Sequence, residues 1–324
     1  MSAVDRRGFL ARALGLTLGA TLAGCAVEDD FAARKPRKPR EGGIGGTGII
    51  GVLTEFGSLI VNGRRILLDD TTEVSDAFGA RPASALALGQ SLTLEAATVD
   101  GALVARRVHI THPLIGRIET VSDDGRSLRI MGVTVRLEPG VALADALGRR
   151  VAVSGLWDGQ AVVASRLDPV ADGTADVVSG TFLVGPDGPL VQAVPVAENV
   201  GALPDAGVFV TAIGRYESGR FEAASLAVGR FFGAAGPLEE LSVEGYLEPI
   251  DTDPGFSLSG LGHSFDPAAR LAALADGRAL FEGPYSGDFA VGRALPLPEG
   301  AAARRAALPV GLDLATAPGT LSTR

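Results

Sequence analysis

Residues 91–105 read SLTLEAATVDGALVA, and this stretch decides the fold. Apolar residues recur in short runs on both sides of Asp100-Gly101, which is the pattern of two β-strands. An Asp-Gly pair favours a tight hairpin turn, because glycine readily adopts the positive φ that the turn requires. The stretch therefore predicts an antiparallel β-hairpin.

The same hairpin pattern recurs three more times along the chain. Its turn glycines are Gly101, Gly159, Gly219 and Gly287, at intervals of 58, 60 and 68 residues. A near-constant interval of this size indicates an internal repeat. Each unit opens with a glycine-containing strand, and a second hairpin precedes the recurring one; this second hairpin is least recognisable in the third unit.

Each repeat unit thus supplies five strands, the number in a small OB-like Greek-key barrel. A closed barrel also leaves few sheet edges free to aggregate. We therefore expect an all-β fold, a tandem array of about four small five-stranded OB-like barrels. One larger, continuous β-sandwich is the alternative.

Changes in composition place the boundaries of the units. Units of about 60 residues are near the lower size limit for an independent core, so we expect neighbouring units to stack. The expected segments are a signal peptide at 1–24, a basic Pro/Gly-rich linker at 25–47, barrel modules at 48–113, 114–172, 175–232 and 241–298, and a loose C-terminal tail at 299–324.

The first residues have the composition of an export signal. A positively charged start is followed by an apolar run from Ala13 to Gly24 that is 12 residues long. Signal peptides have this order, whereas a membrane-spanning helix needs about 20 apolar residues. The segment is therefore predicted to be a cleaved signal and not a permanent anchor.

Two short motifs refine this prediction. The first resembles the twin-arginine export signal, although Asp5 and Ala11 depart from its flanking positions; it comprises Arg6, Arg7, Phe9 and Leu10. The second resembles a lipobox, in which the cysteine is acylated and becomes the new N-terminus; it comprises Leu22, Ala23, Gly24 and Cys25. Cys25 is the only cysteine of the sequence, which favours lipidation over an ordinary signal peptide that happens to end in cysteine.

The residues after Cys25 suit a membrane-tethered protein. Residues 34–40 hold five positive charges and two prolines. Such a segment could lie along anionic lipid headgroups or serve as a stiff solvated spacer, and the sequence leaves both open. Ala26, in place of aspartate, favours the outer membrane by analogy with lipoproteins. We expect a lipid-anchored protein of the cell envelope, at the outer membrane and facing the periplasm.

Charge and composition exclude some partners. The chain carries a net charge of −9, but residues 1–40 hold eight Lys/Arg and four Asp/Glu, so the remainder is at −13. A body this acidic repels phosphate backbones, and aromatic residues are only 5% of the chain. Nucleic acid is therefore not an expected partner.

Residues 48–110 resemble a known family. Gly57–Gly63 (GSLIVNG) and Leu88–Glu95 (LGQSLTLE) are similar to a domain of unknown function that occurs in tandem in bacterial envelope lipoproteins. Residues 114–170 resemble it nearly as well, and the last two units only by pattern. The resemblance implies small OB-like barrels and an envelope location, and it implies no activity and no catalytic residues.

Motifs for catalysis and for metal or cofactor binding are weak. Residues 43–48 satisfy G-x-G-x-x-G but run from a charged linker into a strand pattern, so they are interpreted as a hinge. His109 and His112 would face opposite sides of an extended strand. The sequence has no G-x-S-x-G motif, and its paired aspartates lie at predicted turns. We expect no enzyme activity, no metal and no cofactor, although a carboxylate pair distant in sequence stays open.

Three aromatic residues occupy equivalent positions just before hairpin turns, namely Trp157, Tyr216 and Tyr285. They could be exposed binding anchors, but packing on a neighbouring module is the favoured interpretation. The expected function is a non-catalytic adaptor or spacer that binds an envelope protein or a glycan. The alternatives are an envelope enzyme with a dispersed carboxylate or histidine site, and an OB-type binder of oligonucleotides or oligosaccharides.

Overall fold

A computed structural model describes residues 45–141, 147–197, 203–250, 256–262 and 277–322. Within these ranges the chain is almost entirely β-structure, with one short α-helix and one 3-10 helix at Ala83–Ala85. No helix of the described ranges is long and apolar enough to cross a membrane. The predicted all-β class with small five-stranded barrels is confirmed.

The strands fall into four consecutive groups along the chain. The first unit contains β1 Gly46–Glu55, β2 Leu59–Val61, β3 Arg64–Leu67, β4 Glu73–Asp76, β5 Gly79–Ala80, β6 Ser91–Val99 and β7 Ala102–Ile110. The second contains β8 Leu114–Val121, β9 Ser127–Ile130, β10 Val133–Leu137, β11 Arg150–Asp158 and β12 Ala161–Pro169. The third contains β13 Asp176–Gly185, β14 Gly188–Val191, β15 Val194–Pro195, β16 Phe209–Glu217 and β17 Arg220–Val228. The fourth contains β18 Leu238–Pro249, β19 Phe256–Leu258, β20 Arg278–Pro284 and β21 Arg293–Pro296, and α1 Ala301–Ala307 and β22 Leu321–Ser322 follow it.

The first two units close into barrels of the same topology. In the first barrel, β1 pairs with β2, β2 with β3, β3 with β7, β7 with β6, and β6 again with β1. Strands β8, β9, β10, β12 and β11 repeat this cycle in the second barrel. The β3–β7 and β10–β12 pairs are parallel and the others antiparallel, as expected of a five-stranded Greek-key barrel.

The third and fourth units follow the same plan less completely. In the third barrel, the contact between β15 and β17 is reduced to a single parallel bridge. It joins Val196, which directly follows β15, to Phe221 of β17. In the fourth, β18 pairs with β19 and β20, and β20 pairs with β21. Residues 263–276 lie outside the described ranges.

The barrels are joined through their opening strands. β1 of the first barrel pairs in parallel with β18 of the fourth, and β8 of the second pairs with β13 of the third. Glycine permits the first of these contacts, because a Cβ at Gly48 would lie 2.5 Å from Cδ2 of Leu241. The four units therefore form two sheets, one from the first and fourth units and one from the second and third.

The apolar cores follow this pairing. One cluster of buried side chains spans the second and third barrels and includes Trp157, Phe182 and Phe221. The first barrel has a cluster of its own, and the cluster of the fourth barrel includes Ile50 of the first. Alternation along the strands places these side chains inside, because successive residues of a strand point to opposite faces.

The C-terminal segment differs from its prediction as a loose tail at 299–324. Its described part, to Ser322, forms α1 and packs Leu308 and Leu314 against Leu280 and Leu295 of the fourth barrel. The Ala-rich, Pro-rich composition does not indicate these contacts, because they depend on partners in the preceding barrel and not on the local sequence.

Candidate functional site: a polar groove on the second barrel

An open groove of about 570 Å³ lies on the surface of the second barrel. We call it the barrel-2 groove. Its lining comes from the β9–β10 hairpin, the turn between β11 and β12, and one residue of the third barrel: Arg129, Gly132, Val133, Thr134, Arg136, Asp158, Gln160, Ala161 and Ala193.

The local sequence explains which side chains face the groove. Met131 and Gly132 both have positive φ, at 51° and 73°, which is the conformation of a tight two-residue hairpin turn. This turn sets Thr134 opposite Arg129 in the β9–β10 register. The strand alternation then leaves Thr134 and Arg136 exposed while Val133 is buried.

Two guanidinium groups dominate the chemistry of the groove. Arg136 forms an ion pair with Asp158, and Nη2 of Arg129 donates to the carbonyl oxygen of Gly132 at 2.7 Å. Both arginines are exposed. Exposed ion pairs contribute little free energy, so a ligand with carboxylate or hydroxyl groups can compete for these donors.

Tyr216 of the third barrel lies at the edge of this groove. Its phenol oxygen is 3.1 Å from the position that a Cβ on Gly132 would occupy. Partial burial and the carboxylate of Glu119 raise the pKa of Tyr216, and Arg129 opposes them. The phenol therefore stays protonated at neutral pH and can donate a hydrogen bond beside the two arginines.

The other two predicted aromatics lie elsewhere. Trp157 is buried, with its Nε1 donating to the carbonyl oxygen of Ser179 at 2.8 Å, and its ring packs where a Cβ on Gly260 would be. It thus contacts the third and fourth barrels and is no exposed anchor. Tyr285 is half-buried against the core of the fourth barrel. The structure therefore does not bring the three aromatics together.

The two neighbouring histidines have separate partners. Nδ1 of His109 lies 3.0 Å from Oγ of Ser75, and Nδ1 of His112 lies 3.3 Å from the carbonyl oxygen of Val153. Burial, with Arg107 and other nearby positive groups, lowers the pKa of His109 to about 4. Burial also lowers the pKa of His112. Both rings are therefore neutral at physiological pH. His263 lies outside the described ranges.

Sequence reasoning missed a group of four buried charges, which we call the buried ion-pair cluster: Glu138, Glu244, Arg278 and Arg304. Nη1 of Arg278 donates to Glu138 at 2.6 Å and its Nε to Glu244 at 2.9 Å. Nη2 of Arg304 donates to the other oxygen of Glu138 at 2.8 Å. No local pattern marks these residues, because they come from the second barrel, the fourth barrel and α1.

The described residues contain no group of three or more side chains suited to hold a metal ion. The groove has a single carboxylate, Asp158, which is paired with Arg136. The predicted export and lipidation residues lie outside the described ranges; they are Arg6, Arg7, Phe9, Leu10, Leu22, Ala23, Gly24 and Cys25.

Comparison with known proteins identifies one domain. Residues 47–109 match the family described as a domain of unknown function, DUF5666. The match coincides with the first barrel, so the chain contains a DUF5666 domain there. No curated protein and no solved structure matches the chain. The lipoprotein signal and the tandem repetition of the family remain predictions.

Proposed function

We propose that this protein is a non-catalytic lipoprotein of the cell envelope. We further propose that its barrel-2 groove binds a polar polymer of the envelope, namely a glycan. The observation that carries the proposal is the lipobox-like Leu22-Ala23-Gly24-Cys25, which contains the only cysteine of the sequence. Stable membrane anchoring requires more than one hydrophobic signal, and several acyl chains on one cysteine would provide it.

The groove supports the binding half of the proposal. It offers two exposed guanidinium groups, the hydroxyl of Thr134 and the amide of Gln160, with the ring of Tyr216 at its edge. Saccharides present hydroxyl and carboxylate groups beside apolar ring faces, so donors next to an aromatic ring are complementary to them. An open groove also admits a long chain, whereas a closed pocket would admit only its end.

Lipidation is tested in cells that are fed a labelled fatty acid. Wild-type protein should incorporate the label and sediment with membranes, and the Cys25→Ser variant should lose both properties. The Arg6→Lys/Arg7→Lys variant should accumulate as unprocessed precursor if export follows the twin-arginine route. Wild-type protein that carries no label would contradict the anchor.

Groove binding is tested separately with the purified mature protein and isolated cell-wall glycan. The Arg129→Ala/Arg136→Ala variant should lose at least tenfold in retained protein, because both groove cations are gone. A matched control is Arg65→Ala/Arg293→Ala, which removes two exposed arginines from the first and fourth barrels. Equal retention of both variants would show that any binding is general electrostatic attraction and would rule out the groove.

A further inference from the structure

A small cavity lies where the four barrels meet. Its volume is about 20 Å³, and it is lined by residues of every barrel, among them Ser91, Trp157, Ser179, Arg230 and Leu261. We call it the junction cavity. A space of this volume holds about one particle of the size of a water molecule.

Arg230 makes this cavity unusual. The residue follows β17 and is only 8% exposed. Its guanidinium donates to the carbonyl oxygens of Leu261 and Gly260 at 3.2 Å each, and to Oγ1 of Thr93 at 3.1 Å. The Phe209 ring covers it, 3.6 Å away. These partners carry no negative charge.

The positive charge of Arg230 thus has no counter-charge within the described ranges. No carboxylate there forms an ion pair with it, and Glu95 instead accepts from the backbone N–H groups of Phe232 and Ala234 at 2.8 and 2.7 Å. Burial lowers the pKa of Arg230 to about 9. A buried and unbalanced charge is strongly unfavourable unless an opposite charge approaches it.

The hydrogen bonds of Arg230 also leave room for a further acceptor. A guanidinium has five N–H donors, and three of those of Arg230 have acceptors among the described residues. The hydroxyl-bearing residues Ser91, Thr111 and Ser179 also line the cavity. The cavity therefore combines the Arg230 cation with mostly apolar walls in a space for one small particle.

We propose that the junction cavity is a binding site for a single chloride ion, held by Arg230 between the four barrels. A chloride ion would supply the negative charge that the described residues do not place beside Arg230, whereas a water molecule would not. Sulfate and phosphate are too large for this volume. Because Arg230 contacts the first, third and fourth barrels, the bound anion would stabilise their assembly. The site is independent of the anchor and of the barrel-2 groove.

Thermal unfolding of the purified protein in sodium chloride, against sodium gluconate at equal ionic strength, tests the proposal. An ion that binds only the folded state raises Tm, by roughly 5 °C when its concentration is 100 times its Kd. Wild-type protein should show a saturating rise with chloride. Arg230→Met should abolish the rise, and the surface control Arg293→Met should retain it. An equal rise in all three proteins would overturn the site.

Crystals of the wild-type protein grown in sodium bromide provide a second test that does not depend on a variant that folds. Bromide should give an anomalous peak in the junction cavity beside the Arg230 guanidinium. A cavity without an anomalous peak, occupied by water only, would refute the proposal.

Discussion

At the scale of single residues, the buried ion-pair cluster connects the second barrel, the fourth barrel and α1. Glu138 accepts from both arginines, and Oε2 of Glu244 also accepts from the backbone N–H of Val52 in the first barrel at 3.1 Å. The cluster is imperfectly satisfied, because Nη2 of Arg278 and Nη1 of Arg304 have no hydrogen-bond partner among the described residues. Removing one member of such a group leaves a buried charge without its partner, which is strongly destabilising.

Glu138→Gln should therefore be strongly destabilising. The change removes the charge that both arginines face and leaves a net positive cluster in the interior, which costs about 3 kcal/mol in the free energy of unfolding. Urea unfolding measures this cost. The control is Glu217→Gln, since Glu217 is exposed and its ion pair with Arg215 is 3.7 Å long; we expect a change within about 0.5 kcal/mol. Equal effects of the two changes would show that the cluster contributes nothing specific.

At the scale of elements, the strand that opens the last hairpin of each of the first three barrels carries the same irregularity. The pairing with the next strand shifts register at Glu95/Ala96 in β6, at Ser154/Gly155 in β11 and at Ile213/Gly214 in β16. A β-bulge bends its strand and increases the local twist, which a small closed barrel requires. In the second and third barrels the bulge residue is a glycine whose Cβ position overlaps a carbonyl oxygen of the neighbouring strand.

Gly214→Ala should accordingly weaken the third barrel. The added methyl group would meet the carbonyl oxygen of Glu222, and the rearrangement needed to relieve this contact costs about 2 kcal/mol. Thermal unfolding should show a lower Tm. Gly173→Ala is the matched control, because no atom lies within 4 Å of its added Cβ and its φ is not positive. A Tm equal to that of the control would mean that β16 and β17 separate there at no cost.

At the scale of the whole body, the barrels depend on one another. The first and fourth share a sheet through β1 and β18, and the second and third share both a sheet and an apolar core. Ser91 Oγ of the first barrel donates to the carbonyl oxygen of Gly155 in the second at 2.8 Å, so the two sheets are also in contact. The four units follow one another in sequence, but in the structure each shares a sheet with another unit and the two sheets are in contact.

The body should consequently unfold as one unit. Calorimetry of the mature protein should show a single transition with equal calorimetric and van't Hoff enthalpies, because no barrel can open without exposing the core of a neighbour. Independent barrels would give several transitions and a van't Hoff enthalpy well below the calorimetric one. That second result would show that the barrels are separate modules that unfold independently.

Local sequence patterns by themselves determined the strands and turns of this protein. Strand alternation and turn glycines are local signals, so the hairpins at Asp100-Gly101 and Ser218-Gly219 could be placed from the sequence, and both pairs have the predicted positive φ. The third unit was hardest to recognise because its Gln192-Ala193 turn contains no glycine, although Gln192 also adopts positive φ.

Only the tertiary structure decided how the barrels meet and where a site can form. Trp157 became an interior contact, Arg304 a buried ion-pair partner and Arg230 a cation beside a cavity, because each side chain acquired neighbours from barrels distant in sequence. Local periodicity contains no information on such contacts: they depend on which barrel surfaces pack and on where buried charges find opposite charges. The same reason explains why the predicted loose tail at 299–324 is a packed element in its described part.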